Sequence, residues 1–121
     1  MSLTEIAREK KSSSPSHLVQ SWLRSSTTIG YLRMWEKIYN PRFQEDACDQ
    51  LVEEVHKTSA NMTPSLWANT THALGIKSSS GRGGGTIAHP EIAEAFRAWL
   101  FPEYMLKLVK WYRMNQHESK M

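Results

Sequence analysis

Five prolines divide this 121-residue chain into segments of helical length. Two of them follow a serine or a threonine, a pair in which the hydroxyl can cap a helix while proline fits its first turn. One follows an asparagine, and the residue before a proline is pushed out of the helical region, which ends a helix. Of the other two, the first opens a helix and the second ends that helix, where the next one begins. These boundaries are Ser14-Pro15, Asn40-Pro41, Thr63-Pro64, Pro90 and Pro102.

Apolar residues recur at helical spacing between these boundaries, which predicts a series of short amphipathic helices. Ser2 is a further N-cap, and Gly75 is the expected C-cap of the helix that starts at Pro64. The predicted inward faces are Leu3, Ile6 and Ala7; Leu18, Val19 and Trp22; Ile29, Leu32, Trp35 and Ile38; Ala47, Cys48, Leu51, Val52 and Val55; Leu66, Trp67, Thr70 and Leu74; Ile92, Ala93, Phe96, Trp99 and Leu100; and Tyr104, Met105, Leu108, Val109 and Tyr112.

Two short β-prone runs, "IKS" and "TIA", flank a Ser/Gly/Arg stretch and predict a two-stranded hairpin. The fold class is therefore mainly α with a small β-hairpin, an α+β architecture. The length fits one domain, which we expect over residues 1–115 with a flexible tail at 116–121.

Composition excludes several classes of function. The single Cys48 predicts a reducing compartment, the cytoplasm. The sequence has no run of about 18 apolar residues, the length that a membrane-spanning helix needs, so no membrane span is expected. Five histidines lack the spacing of a zinc site, no catalytic constellation stands out, and no cofactor or metal is expected. The formal net charge is +3, with basic ends at 1–42 and 76–121 flanking an acidic middle. This asymmetry fits contact with an anion, although it also arises by chance.

The stretch "SSSGRGGGT" has neither the Lys-Ser/Thr of a P-loop nor the βαβ setting of a dinucleotide site. Two interpretations remain. In one, the glycines bring the hairpin backbone close to a partner while Arg82 donates to phosphate or enters a narrow minor groove. In the other, the stretch is a passive loop.

The segment "EIAREKKSSSPSHLVQSWLR" predicts a short helix, a basic turn and a capped helix with small polar residues outward. A helix-turn-helix presents such a helix to the DNA major groove. The alternative is an amphipathic helix with a solvated polar face.

Five blocks resemble one family. "SLTEIA", "WLR", "TIGYLRMWEKIYNPRF", "LWANTTHALGI" and "SGRGGGTIAHPEIAEAFRAWLFPEYMLKL" are similar to the KilA-N domain of phage, bacterial and large DNA virus proteins, itself similar to the fungal APSES DNA-binding domain. The likeness extends from Ser2 to about Trp111. Family members often have a strand before the "SLT" block, and this sequence begins at that block, so either a smaller sheet or a trimmed N-terminus is expected here.

The resemblance implies a double-stranded DNA-binding module, with a helix-turn-helix-like element and the hairpin as a wing, in a phage- or virus-type regulator of transcription in a bacterial or phage-infected cell. It also implies a core of Trp22, Trp35, Trp67, Phe96 and Trp99. A single module of this size binds DNA weakly, so a homodimer is expected for tight binding. The alternative is a protein-interaction or dimerisation module without nucleic-acid contact. The residues expected to contact DNA are Lys10, Lys11, Ser14, Ser16, His17, Gln20 and Arg24 in the turn and second helix, and Lys77, Ser79, Arg82, Gly83 and Gly84 in the hairpin.

Overall fold

A computed structural model describes residues 1–11, 14–79 and 85–119 of the chain, with side chains up to residue 116. The described residues form a mainly helical domain with one two-stranded antiparallel sheet, which confirms the predicted α+β class. The elements are α1 Leu3–Arg8, α2 Pro15–Leu23, α3 Ser26–Tyr39, α4 Glu45–Thr58, α5 Pro64–Thr71, β1 Ile76–Ser78, β2 Thr86–Ala88, α6 Pro90–Leu100 and α7 Pro102–Ser119. None of the helices in these ranges is long and apolar enough to cross a bilayer.

The predicted helix starts are confirmed at atomic detail. The hydroxyl oxygens of Ser2, Ser14 and Thr63 each accept a hydrogen bond from the backbone N–H three residues later. His89 caps α6 in a different way, because its Nδ1 accepts from the Glu91 N–H at 3.1 Å. Each cap satisfies a donor that the first helical turn leaves unpaired.

The predicted end of α5 is wrong. The helix stops at Thr71, and His72 is the C-cap in the left-handed conformation with φ at 56°. Gly75 lies three residues beyond and is buried where the chain enters β1. Because the helix ends early, Leu74 falls outside it and is 53% exposed.

Most predicted core residues are buried, including Trp22, Trp67 and Phe96, and Trp35 is half-buried. Ile38 and Trp99 are exceptions, since they are 69% and 43% exposed, and Leu66 is exposed as well. The inward face predicted for α7 is wrong in part, because Met105, Val109 and Tyr112 are exposed where the rest of the described chain leaves α7 uncovered. Ile38 follows Ile29 by nine positions, which is half a turn away on a helix of 3.6 residues per turn. Trp99 lies on the correct face of α6 but at its end, stacked on Phe96 with ring centroids 6.3 Å apart.

Glu36 lies on the core side of α3, where an apolar residue would be expected, and it is fully buried. Its carboxylate accepts hydrogen bonds from the Asn40 amide at 2.8 Å, the Leu74 N–H at 3.0 Å and the Gly75 N–H at 2.8 Å. These hydrogen bonds therefore attach the backbone just before β1 to the core of the domain.

Replacing Gly75 with alanine is expected to destabilise the fold by about 1–3 kcal/mol through overpacking. A Cβ at this position would lie 2.3 Å from Ile92 Cδ1 and 2.9 Å from both Glu36 Oε2 and a Trp35 ring carbon. Chemical denaturation checks the result, with Gly30→Ala as the control because a Cβ there meets nothing within 4 Å. Equal stability of the two variants would contradict the packing described here.

The start of the chain lies along the hairpin. Strand β2 pairs with β1 in the register Lys77 opposite Ile87, and on its other side Ser2 forms a bridge to Ile87. Met1 and Ala88 exchange two backbone hydrogen bonds of 2.8 and 2.9 Å. The sheet is small, as expected, and this pairing holds α1 directly beside the hairpin.

Candidate nucleic-acid interface

Helix α2 separates an apolar face from a polar one. Val19, Trp22 and Leu23 are buried, and the Trp22 ring packs on Phe96 with centroids 4.9 Å apart. Ser14, Ser16, His17 and Arg24 are exposed, and Gln20 is half-buried. The buried face holds α2 on the core and leaves short hydroxyl and amide side chains accessible along its outer side.

The hairpin turns Lys77 outward. Lys77 and its cross-strand partner Ile87 are both exposed, whereas Ile76 and Ala88 point into the core. The ladder continues one pair beyond the strands, because the Ser79 N–H donates to the Gly85 carbonyl at 3.0 Å. Arg82, Gly83 and Gly84, the residues predicted at the hairpin tip, lie outside the described residues.

A groove of about 240 Å³ runs between α2 and the hairpin. Ser16 and Gln20 line it from α2, and Ser79 and Thr86 line it from the hairpin side. Two segments that were predicted separately from the sequence, the second helix and the hairpin, therefore lie on opposite sides of one groove.

The groove also has contributors that the sequence analysis missed. The Thr4 hydroxyl of α1 accepts a hydrogen bond from the Thr86 N–H at 3.1 Å, and a Cβ on Gly85 would lie 2.9 Å from the same oxygen. Pro64, at the start of α5, lines the groove as well. Of these three residues, only Pro64 had been singled out from the sequence, as the start of a helix. Thr4 and Gly85 could not be predicted, because they join the groove through contacts between distant parts of the chain.

The cations of the turn before α2, of Arg24 and of the hairpin differ in their partners. Lys11, Arg24 and Lys77 are exposed, and none of them forms an ion pair within the described parts of the chain. Lys10 is tied down, because its ammonium donates to the Leu100 carbonyl at 3.0 Å and lies 5.5 Å from the centre of the Phe101 ring. The Lys10 side chain thus joins the turn before α2 to the end of α6.

Two arginines elsewhere are neutralised by carboxylates of the protein itself. Arg33 bonds to Asp49 and Glu45, and these hydrogen bonds raise the pKa of Arg33 while the same contact lowers the pKa of Glu45. Arg97 pairs with Glu9 at 2.8 Å, which raises the pKa of the arginine. Arg33 and Arg97 are therefore less available to an external anion than Lys11, Arg24 and Lys77, which form no ion pair within the described residues.

The described residues contain no group of three His, Cys, Asp or Glu side chains arranged to hold a metal ion. Cys48 is completely buried, and burial raises the pKa of its thiol, which favours the protonated form. Cys48 is therefore a core residue, as its place on the apolar face of α4 indicates.

The family follows from a comparison of the whole chain. The model of the KilA-N domain family matches residues 1–118. The chain belongs to the KilA-N domain family. KilA-N domains are DNA-binding domains, and the resemblance drawn from the sequence is confirmed. Neither the curated proteins nor the solved structures give a match to this KilA-N chain.

Proposed function

We propose that this KilA-N domain binds double-stranded DNA with α2 in the role of a recognition helix and the β1–β2 hairpin in the role of a wing. The observation that carries the proposal is the groove that α2 and the hairpin share. A helix of polar side chains beside an extended basic ribbon suits one duplex, since the helix fits the major groove and the ribbon can follow the adjacent backbone. The setting is a regulator of transcription of phage or virus type, acting in the cytoplasm.

The chemistry of the exposed side chains supports a division of roles. Lys11 and Lys77 offer point charges to phosphates, and the sequence adds Lys10 and Arg82 to this group. His17, Gln20 and Arg24 have donors and acceptors that match base edges, with Ser14 and Ser16 beside them. Gly83 and Gly84 give the wing tip a backbone that can approach DNA closely, and Ser79 offers a hydroxyl at its base.

A domain of this size buries about 600–1,000 Å² on DNA, and its non-specific dissociation constant is of order 10⁻⁴ to 10⁻⁶ M near physiological salt. Tight and selective binding is therefore expected of two copies acting together. No catalytic step is part of the proposal.

Gln20→Ala and Lys77→Ala are expected to affect DNA binding in different ways. Loss of the Gln20 amide removes a contact to a base edge, so the variant is expected to lose about 1–3 kcal/mol of discrimination between preferred and unrelated duplexes. Loss of the Lys77 ammonium weakens binding to all duplexes alike and reduces the salt slope by about 1. Selection of bound duplexes from a random pool, followed by fluorescence anisotropy at two salt concentrations, measures both effects.

Lys57→Ala is the control, because Lys57 is exposed at the end of the acidic helix α4. It is expected to leave preference and salt slope unchanged. If the wild-type domain fails to bind any duplex in dilute buffer, the proposed function is wrong. If Lys77→Ala behaves like Lys57→Ala, the wing has no part in binding.

A further inference from the structure

Helix α7 has an apolar face that the rest of the described chain leaves largely uncovered. At 100° per residue, six apolar and aromatic side chains fall within an arc of roughly 160°: Tyr104, Met105, Leu108, Val109, Trp111 and Tyr112. Tyr104 and Leu108 are half-buried, while Met105, Val109, Trp111 and Tyr112 are 48, 45, 64 and 59% exposed. An exposed apolar surface of this kind is typical of an interaction site.

Beside this face lies a cleft of about 440 Å³ between α3, α6 and α7. Its apolar lining includes Ala98, Trp99, Met105 and Leu108. The exposed position of Trp99, which the core prediction missed, is explained by this cleft. Apolar area and a concave shape make the cleft suited to a helix with an apolar stripe.

The cleft and the helix carry opposite charges. Glu91 and Glu94 line the cleft, and burial together with these two carboxylates raises the pKa of Tyr31 beside them. On α7, Lys107 and Arg113 border the apolar arc on its two sides, and neither forms an ion pair within the described residues. The anionic rim of the cleft is therefore complementary to the cationic borders of α7 itself.

We propose that the cleft is occupied by α7 of a second copy of this chain, in a two-fold dimer in which each α7 docks beside the partner's α6. Reciprocal docking satisfies both surfaces at once, because in a two-fold interface every contact occurs twice. The inference deepens the proposed function, on which it rests for its biological use, by naming the surface that joins two DNA-binding modules.

The available area is sufficient for a specific dimer. Fully covered aromatic side chains bury about 150–250 Å² each, so the four exposed apolar residues of α7 supply roughly 400–500 Å² per copy. Each copy also buries a cleft surface of similar size, so the two-fold interface covers roughly 1,600–2,000 Å² in total, the size of a typical specific interface. Interfaces of this size have dissociation constants from micromolar to picomolar, and we expect about 10 µM, at the weak end of that range.

Sedimentation equilibrium without DNA tests the dimer independently of DNA binding. The wild-type chain is expected to pass from monomer to dimer between about 1 and 100 µM, as a dissociation constant near 10 µM requires. Trp111→Ser/Tyr112→Ser is expected to remain monomeric across this range. The control is Met34→Ser/Ile38→Ser, which removes two apolar residues of α3 that are 66 and 69% exposed and is expected to dimerise like the wild type. Circular dichroism verifies that all variants are folded.

A charge exchange distinguishes this dimer from any other form of association. Glu94→Lys and Lys107→Glu/Arg113→Glu are each expected to weaken self-association at least tenfold, because each places like charges together at both ends of the interface. An equimolar mixture of the two variants restores opposite charges at both ends and is expected to form a heterodimer. The proposal is overturned if the wild type stays monomeric at 100 µM, if the serine variant dimerises normally, or if the mixture remains monomeric. A dimer that forms but binds no duplex would instead reject the DNA-binding function alone.

Discussion

Replacing Glu36 by alanine is expected to lower the free energy of unfolding by about 3–5 kcal/mol. The substitution deprives three donors of their acceptor: the Asn40 amide and the N–H groups of Leu74 and Gly75. Each buried donor left unpaired costs about 1–3 kcal/mol, and a domain of this size has only about 5–15 kcal/mol in total. The loss therefore consumes a large part of the stability of the fold.

Thermal denaturation followed by circular dichroism measures the effect, and a fall in Tm of roughly 10–15 °C is expected. Glu36→Gln retains the volume and one acceptor oxygen, so an intermediate loss is expected. Glu53→Ala is the control, because Glu53 is exposed on α4 and should change Tm little. If the alanine and glutamine variants both unfold like the wild type, the three hydrogen bonds do not hold this part of the fold together.

The Glu36 hydrogen bonds also bear on the proposed DNA interface. Gly75 directly precedes β1, so the Glu36 hydrogen bonds set where the hairpin leaves the core. In a folded Glu36→Gln variant, the hairpin side of the groove is therefore expected to be held less firmly. In the proposed complex, Glu36 affects DNA binding through the backbone before β1 and not by direct contact.

The helix starts and the hairpin could be predicted because their determinants are local. Ser14 caps a donor three residues away, and the strands "IKS" and "TIA" have the bounds that their β-prone runs indicate. The end of α5 could not be found in the same way. Gly75 resembled a C-cap, but His72 takes the left-handed conformation three residues earlier, which a non-glycine residue adopts uncommonly.

Positions decided by tertiary contacts escaped prediction. Glu36 is charged, so the apolar pattern of α3 left it out of the core. Its burial depends on hydrogen bonds from the Asn40 amide and from two N–H groups 38 and 39 residues away. Thr4 enters the groove through a hydrogen bond to Thr86, 82 residues away. The sequence indicated which segments form the candidate interface, but their arrangement around one groove depends on such long-range contacts.

Lys10 illustrates the limit for single residues. The basic turn drew attention to both Lys10 and Lys11, which are equivalent in the sequence pattern. In the fold, the Lys10 ammonium binds the Leu100 carbonyl, whereas Lys11 is exposed. A cation already engaged with a carbonyl oxygen must break that bond before it can reach a phosphate. Among the described residues, the charges expected to dominate DNA binding are therefore Lys11, Arg24 and Lys77.

Replacing Lys11, Arg24 and Lys77 together by alanine is expected to lower the affinity for duplex DNA about 100- to 1,000-fold at 0.1 M salt. In the proposed complex Lys11 and Lys77 each neutralise one phosphate and contribute about 0.9 to the slope of log K against log salt, so the slope is expected to fall by about 1.8. The loss of Arg24 removes a contact to a base edge and adds to the loss of affinity. Fluorescence anisotropy across a salt series measures both quantities. The fold should persist, because all three side chains are exposed and form no ion pair within the described residues.

The matched control replaces Lys37, Arg42 and Lys57 by alanine, which removes the same formal charge from the end of α3, the following loop and α4. Lys37 already pairs with Glu45 at 3.2 Å, and charges farther from DNA than about 10 Å are screened at 0.1 M salt. We expect the control to keep its salt slope and to lose affinity by less than about fivefold. Equal losses in the two triple variants would mean that net charge alone drives binding, and the groove between α2 and the hairpin would then have no special part in DNA recognition.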